Sequence, residues 1–235
     1  MTSPAAGPPE ALPLFPLGSV LVPGMRLSLH VFEPRYRQLV ADLLNAEDPG
    51  APEFGVVALR HGWEVGELGD VYPIGTTARV TDVLPHPDGR CDLTAVGEQR
   101  FSIEALDPAA QPYLMATIRR LAEPDGQLRP GLAAATLRSL DAHQAALAEL
   151  SVDFGDEAAL ADLDRDSLPA RALSYAVAGL ASLPLADRQE LLAAPDTASR
   201  LRMARSVLRR ENELLVQLRA VPVTAAAFRS GPGSS

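Results

Sequence analysis

The apolar residues of this 235-residue chain change rhythm once, and the change falls in Glu123-Pro-Asp-Gly-Gln-Leu-Arg-Pro-Gly. Before it, apolar and polar residues alternate in short runs closed by Pro, Gly and Asp; after it, apolar residues recur at helical spacing. A period of two lines one face of a strand and a period near 3.6 lines one face of a helix, so the two parts need different regular structures. The chain is therefore expected to be α+β, with a strand-rich part at 11–123 and a helical part at 124–220. Residues 1–10 and 221–235, rich in Pro, Gly, Ser and Ala, are expected to be disordered tails.

In the first part, Arg26-Leu-Ser-Leu-His-Val reads as a strand and Glu53 to Leu59 as a short buried one. From Val71 to Val80, Ile74, Thr76, Ala78 and Val80 fall on one face. Pro87-Asp88-Gly89 offers a tight turn. The return alternates Cys91, Leu93 and Ala95 against Asp92 and Thr94, is expected to bend at Gly97, and resumes with Phe101, Ile103 and Ala105. Tyr113 to Leu121 is a further strand. Short strands with turns between them predict a small, bent β-barrel. One helix is embedded in it. Pro34 suits a first helical position, Glu33 puts a negative charge at the positive end, and Tyr36, Leu39, Val40, Leu43 and Leu44 share a face up to about Asn45.

The second part predicts helices at Leu132 to Leu150, at Leu168 to Leu183 with Asp166 or Ser167 as cap and Pro169 in the first turn, at Asp187 to Ala193, and at Ala198 to Arg219. In the last, Leu201, Ala204, Leu208, Leu215 and Leu218 form the apolar line. Arg200, Arg202, Arg209 and Arg210 are expected on the opposite, basic side, and Arg202, Arg209 and Arg210 could dock a partner.

Several kinds of chemistry are excluded. All 21 basic residues are arginine, so there is no Walker A lysine, Ser-Lys dyad or Schiff-base lysine. No G-x-S-x-G elbow or G-x-G-x-x-G loop occurs. His30-Val-Phe-Glu33 lacks the second histidine of a zinc-binding helix, and His86 with Cys91 across the turn makes an incomplete metal set, so no metal or cofactor is expected. Cys91 is the single cysteine, which rules out an internal disulfide. Formal net charge is −9, with 17 acidic and 9 basic residues in 1–125, which makes a nucleic-acid partner an unfavourable expectation for the strand-rich part. MTSPAAGPPE has no signal-peptide pattern and no run approaches the roughly 20 apolar residues of a membrane span, so a cytoplasmic protein is expected. Trp63, in the glycine-flanked Arg60-His-Gly-Trp-Glu-Val-Gly, is either a contact anchor or a plug for the barrel end.

A set of ordered motifs then carries a resemblance. Leu12-Pro-Leu-Phe-Pro-Leu-Gly, Val22-Pro-Gly and Leu29-His-Val-Phe-Glu-Pro-Arg-Tyr closely resemble the N-terminal substrate-binding domain of Lon proteases. Phe54-Gly-Val-Val, Glu64-Val-Gly, Ile74-Gly-Thr-Thr-Ala-Arg-Val, Gly97-Glu-Gln-Arg-Phe and Pro112-Tyr-Leu-Met-Ala follow in the same order, across about residues 11–122. The resemblance implies a PUA-like barrel joined to a helical subdomain, as in stand-alone bacterial proteins of that family. The ATPase and Ser-Lys peptidase modules of full Lon are not expected here, so no enzyme activity is either. It further implies a module that captures exposed apolar, unfolded or tagged polypeptide segments, with Met25, Leu27, Phe32, Trp63 and Tyr72 as the binding candidates. The other readings are an RNA-binding module, by analogy of fold, and regulatory docking on a protease or chaperone. The sequence leaves open whether the chain forms a homodimer.

Overall fold

A computed structural model describes residues 7–45, 52–60, 70–148, 168–181 and 183–220, with backbone alone at 217–220. Six strands come first: β1 (Glu10–Leu17), β2 (Arg26–Val31), β3 (Glu53–Ala58), β4 (Ile74–Pro85), β5 (Cys91–Asp107) and β6 (Met115–Arg120). Helix α1 (Pro34–Asn45) lies between β2 and β3. Then come α2 (Leu132–Ala148), α3 (Ala170–Leu180), α4 (Leu185–Ala193) and α5 (Thr197–Ala220). Strands segregated from helices, apart from α1, make the α+β architecture that the change of rhythm predicts.

The strands run in the order β2-β5-β4-β3-β1-β6, and a further β5–β6 pairing closes β1, β3, β4, β5 and β6 into a barrel. Only β1 and β3 are parallel; the other pairings are antiparallel. β2 stands outside the ring, paired to the first half of β5 from Val31↔Cys91 to Arg26↔Val96. The bend expected at Gly97 is present, and the strand continues through it. β5 runs on for 17 residues and bends by register shifts, Thr76 facing Arg100 and Ala78 facing Gly97. Such bulges let one strand serve two partners, β2 early and β6 late. Glycine is required at position 97 because the turn before β2 lies on it. Gly97 N–H donates to Met25 O and Gly24 N–H to Gly97 O, both at 2.8 Å, and a Cβ at Gly97 would stand 2.5 Å from Val22 O.

Helix α1 begins at Pro34 as predicted, with Tyr36 and Arg37 N–H groups donating to Glu33 O. It buries Tyr36, Leu39 and Val40 against the barrel, and the Tyr36 ring stacks on Phe15 at 4.0 Å. Tyr113 O–H donates to Asp42 on the same helix, and burial together with that bond pushes its pKa up to about 12. Helix α3 starts at Ala170, with Pro169 just before it and no side-chain cap, while Asp166 and Ser167 lie outside the described residues. At α5, the Asp196 carboxylate accepts Ser199 N–H at 2.6 Å, an N-cap contact.

The two parts share one apolar cluster. Val20, Val22, Ala58, Ile74 and Leu121 of the barrel side pack with Leu140, Tyr175, Val177, Leu191, Ala204 and Leu208 of the helices. A buried ionic joint runs through this contact. Arg100 of β5 and Arg200 of α5 are both fully buried. Arg100 donates to Glu123 at 2.5 Å and to the Leu192 and Ala194 carbonyls at 2.7 Å, while Arg200 donates to Leu191 O and Ser174 Oγ. Tyr175 O–H donates to Glu123 at 2.6 Å, and the Arg200 guanidinium lies over the Tyr175 ring at 3.9 Å. The guanidinium groups thus bond carbonyls at and just past the C-terminal end of α4, where backbone bonding within the helix runs out. Burial lowers the Arg200 pKa and raises that of Tyr175. The expectation that Arg200 sits on a basic outer face is corrected: it belongs to the core side of α5.

Candidate functional site

At the hairpin end of the barrel, strand register lines up an outward row. His30 lies opposite Asp92, and Asp92 lies opposite Leu84. Alternation turns the flanking Cys91 and Leu93 inward, where both are buried and the Cys91 thiol pKa is raised by that burial. The β4–β5 turn then closes over the row. Gly89 takes φ 80°, its N–H donates to His86 O, and His86 N–H donates to Arg90 O at 2.8 Å. This brings His86 back onto Asp92. The carboxylate is held on both sides, with His30 Nδ1 at 2.7 Å from Oδ1 and His86 Nε2 at 2.8 Å from Oδ2. These hydrogen bonds, that of His30 first, hold the Asp92 pKa below the ordinary carboxylate range. Beside it, Arg90 holds the Asp88 carboxyl down at about 2.

Phe32 extends the row past the end of β2. Its ring is 6.3 Å from that of His30 at 27°, and the residue is 60% exposed; Leu84 is 58% exposed. β2 is also the last strand in its order, so among the described residues its outer edge pairs with nothing. An unpaired strand edge with a large aromatic at its end is a surface on which an extended chain can hydrogen-bond.

The other sequence candidates do not join this row. Met25 is partly buried, packs against both the barrel cluster and the cluster shared with the helices, and touches α3 at Gly179. Leu27 is partly buried against the barrel cluster. Tyr72 packs on the shared cluster, with Arg60 over its ring at 5.0 Å. Trp63 lies outside the described residues. Of the described candidates, Phe32 keeps most of its area available for contact.

Arg202 and Arg209 line a second surface, a cleft of about 920 Å³ between α2 and α5. Arg138 and Arg205 line it with them, and neither has an ion-pair partner among the described residues. Arg210 points elsewhere, donating to Asp187 and Glu211. Arg209 makes a long pair with Glu213, which also lines the cleft, at 3.9 Å, and the barrel arginines are held more tightly. Arg119 pairs with Glu104, and Arg120 pairs with Glu10 and Glu53, so this doublet is committed to carboxylates.

Residues 11–210 match the family model of the ATP-dependent protease La (LON) substrate-binding domain. Lon protease 2 of Syntrophobacter fumaroxidans is 28% identical over 213 residues, covering 89% of this chain and 25% of that protein. Lon protease of Flavobacterium johnsoniae is 32% identical over 117 residues, 49% of this chain and 14% of that protein. The chain thus spans a quarter or less of these relatives. Among solved structures, the Lon N-terminal domain protein from Xanthomonas campestris aligns with a TM-score of 0.58 at 26% identity, covering 82% of this chain and 95% of that one. The N-terminal domain of Mycobacterium avium complex Lon protease has the same fold, with a TM-score of 0.58 at 18% identity.

Proposed function

This chain belongs to the Lon substrate-binding domain family, and from that premise we propose that it is a non-enzymatic module that binds polypeptide segments along the free edge of β2. The observation that carries the reading is the pairing of that edge with the exposed Phe32. A segment in extended conformation adds a strand beside Arg26–Val31, its backbone groups bonding those of β2 that β5 leaves unused, and an apolar side chain covers Phe32. Folded proteins keep their own backbone groups paired, so such an edge selects unfolded or loosely folded chains. Burying the exposed part of a phenylalanine contributes roughly 2 kcal/mol, offset in part by ordering the segment. The test is fluorescence anisotropy of a labelled unfolded protein against wild type and Phe32→Ala. About a tenfold loss of affinity, with an unchanged melting temperature, is expected. Equal affinities would remove Phe32 and the β2 edge from the site.

A second reading is favoured by the cleft. Four arginines, with Glu213 beside Arg209, give the cleft between α2 and α5 a net positive lining in a chain of net charge −9, suited to an acidic segment of a partner protein such as a protease or chaperone. Replacing Arg138, Arg205 and Arg209 together by glutamine should abolish that docking and leave capture at β2 intact. An RNA ligand at the same cleft would be recognised by affinity that falls steeply with salt for ribo-oligonucleotides and not for acidic peptides.

A further inference from the structure

The row of His30, Asp92 and His86 carries more than hydrogen bonds. We propose that these three side chains form a binding site for a first-row divalent cation of borderline softness, with Zn²⁺ as its probe. They are the one group of three or more ligating side chains found among the described residues, and their candidate ligand atoms all lie within 4.8 Å of one another. Two imidazoles and a carboxylate suit zinc, nickel, copper or iron and do not suit magnesium or calcium, which take oxygen ligands.

The placement is fixed by the backbone. His30 and Asp92 are partners in the β2–β5 register, and the turn at Gly89 sets His86 above them. Ligand atoms around a tetrahedral zinc at about 2.0–2.1 Å stand about 3.3 Å apart. The two short contacts, 2.7 and 2.8 Å, therefore open by about half an ångström on binding. The side chains are one-third to one-half exposed, so small rotations achieve this without moving the strands.

Protons and charge also fit. With Asp92 ionised, His30 Nδ1 and His86 Nε2 each carry the proton they donate. Cation binding moves each proton to the ring's other nitrogen. On His30 that nitrogen faces Arg90 Nη1 at 3.5 Å, and Arg90 must withdraw; Asp88 already holds it at 2.6 Å. Three protein ligands leave coordination positions open toward solvent beside Phe32. The bound ion would tie the edge strand β2 to the β4–β5 hairpin at the end of the strand that takes up polypeptide. This site does not depend on that uptake.

The experiment uses tag-free, metal-stripped full-length chain titrated with ZnCl₂ by calorimetry, with imidazole nitrogen shifts followed by NMR. One Zn²⁺ per chain is expected, with shifts at His30 Nδ1 and His86 Nε2. His30→Ala, His86→Ala and Asp92→Asn should each weaken binding by about tenfold or more, and Mg²⁺ should give no binding. Failure of wild type to bind Zn²⁺ would overturn the proposal. So would variants that bind as wild type does, or shifts confined to His61 and His143. The NMR readout on wild type decides the matter even if a variant folds poorly.

Discussion

The joint around Glu123 and the row around Asp92 are built alike, each a carboxylate held between two cationic or titratable side chains, and they serve opposite ends. Glu123 is 16% exposed in its side chain and sits among Arg100, Arg200 and Tyr175, all buried. Asp92 is 49% exposed, and its histidines are 48% and 33% exposed. In a water-poor setting, losing one partner strands a charge; in the open, water replaces it. The same geometry therefore fixes the barrel and the helices to each other at one place and leaves exposed side chains open to the proposed cation at the other.

Glu123→Ala should break this contrast most clearly. It removes the carboxylate that the buried Arg100 and Arg200 share and should destabilise the fold by about 3 kcal/mol or more. Urea unfolding reads this, and a loss below about 1 kcal/mol would mean that the carbonyls of α4 suffice. Gly97→Ala comes next. Its methyl group meets the Val22 carbonyl, and displacement of the turn before β2 should cost roughly 1–3 kcal/mol. Peptide capture should fall with it, because that turn sets the start of β2.

Raised phenol pKa values give a pH signature on the buried side. Tyr36, Tyr113 and Tyr175 all titrate above their ordinary value, chiefly through burial, so their contribution is complete below about pH 10 and is lost as pH rises through the folded pKa, about 12 for Tyr113. Tyr113→Phe should flatten the fall in stability between pH 10 and 12, and an unchanged slope would place the alkaline transition elsewhere. The smallest effect is expected at the open row. His30→Ala without metal should change stability by no more than about 0.5 kcal/mol. A loss near that of Glu123→Ala would make the row a second structural joint.

Much of this architecture was legible where punctuation and periodicity coincide. Pro34 starts α1, Gly89 sits in the turn, and the change near Glu123 separates strands from helices. Arg200 is the exception, because its charge suggests an outer face while its position does not. It lies one helical turn before Ala204 and two before Leu208, both fully buried, so i, i+4, i+8 spacing already put it on the apolar stripe. His86 beside Cys91 was visible across the turn, but the partner that matters, His30, is 62 residues from Asp92. Register between strands that distant is settled by which faces of β2 and β5 the fold buries and not by any local pattern. Met25, Leu27 and Tyr72 show the converse problem, since large apolar residues near turns are as useful for packing the barrel and its helices as for meeting a ligand.

Hydrogen exchange of the β2 amides, with and without a saturating unfolded protein, tests polypeptide capture most directly. The account predicts added protection within Arg26–Val31 on binding, lost in Phe32→Ala, while the β5 and β6 amides exchange as before. Binding that leaves the exchange of Arg26–Val31 unchanged would contradict it.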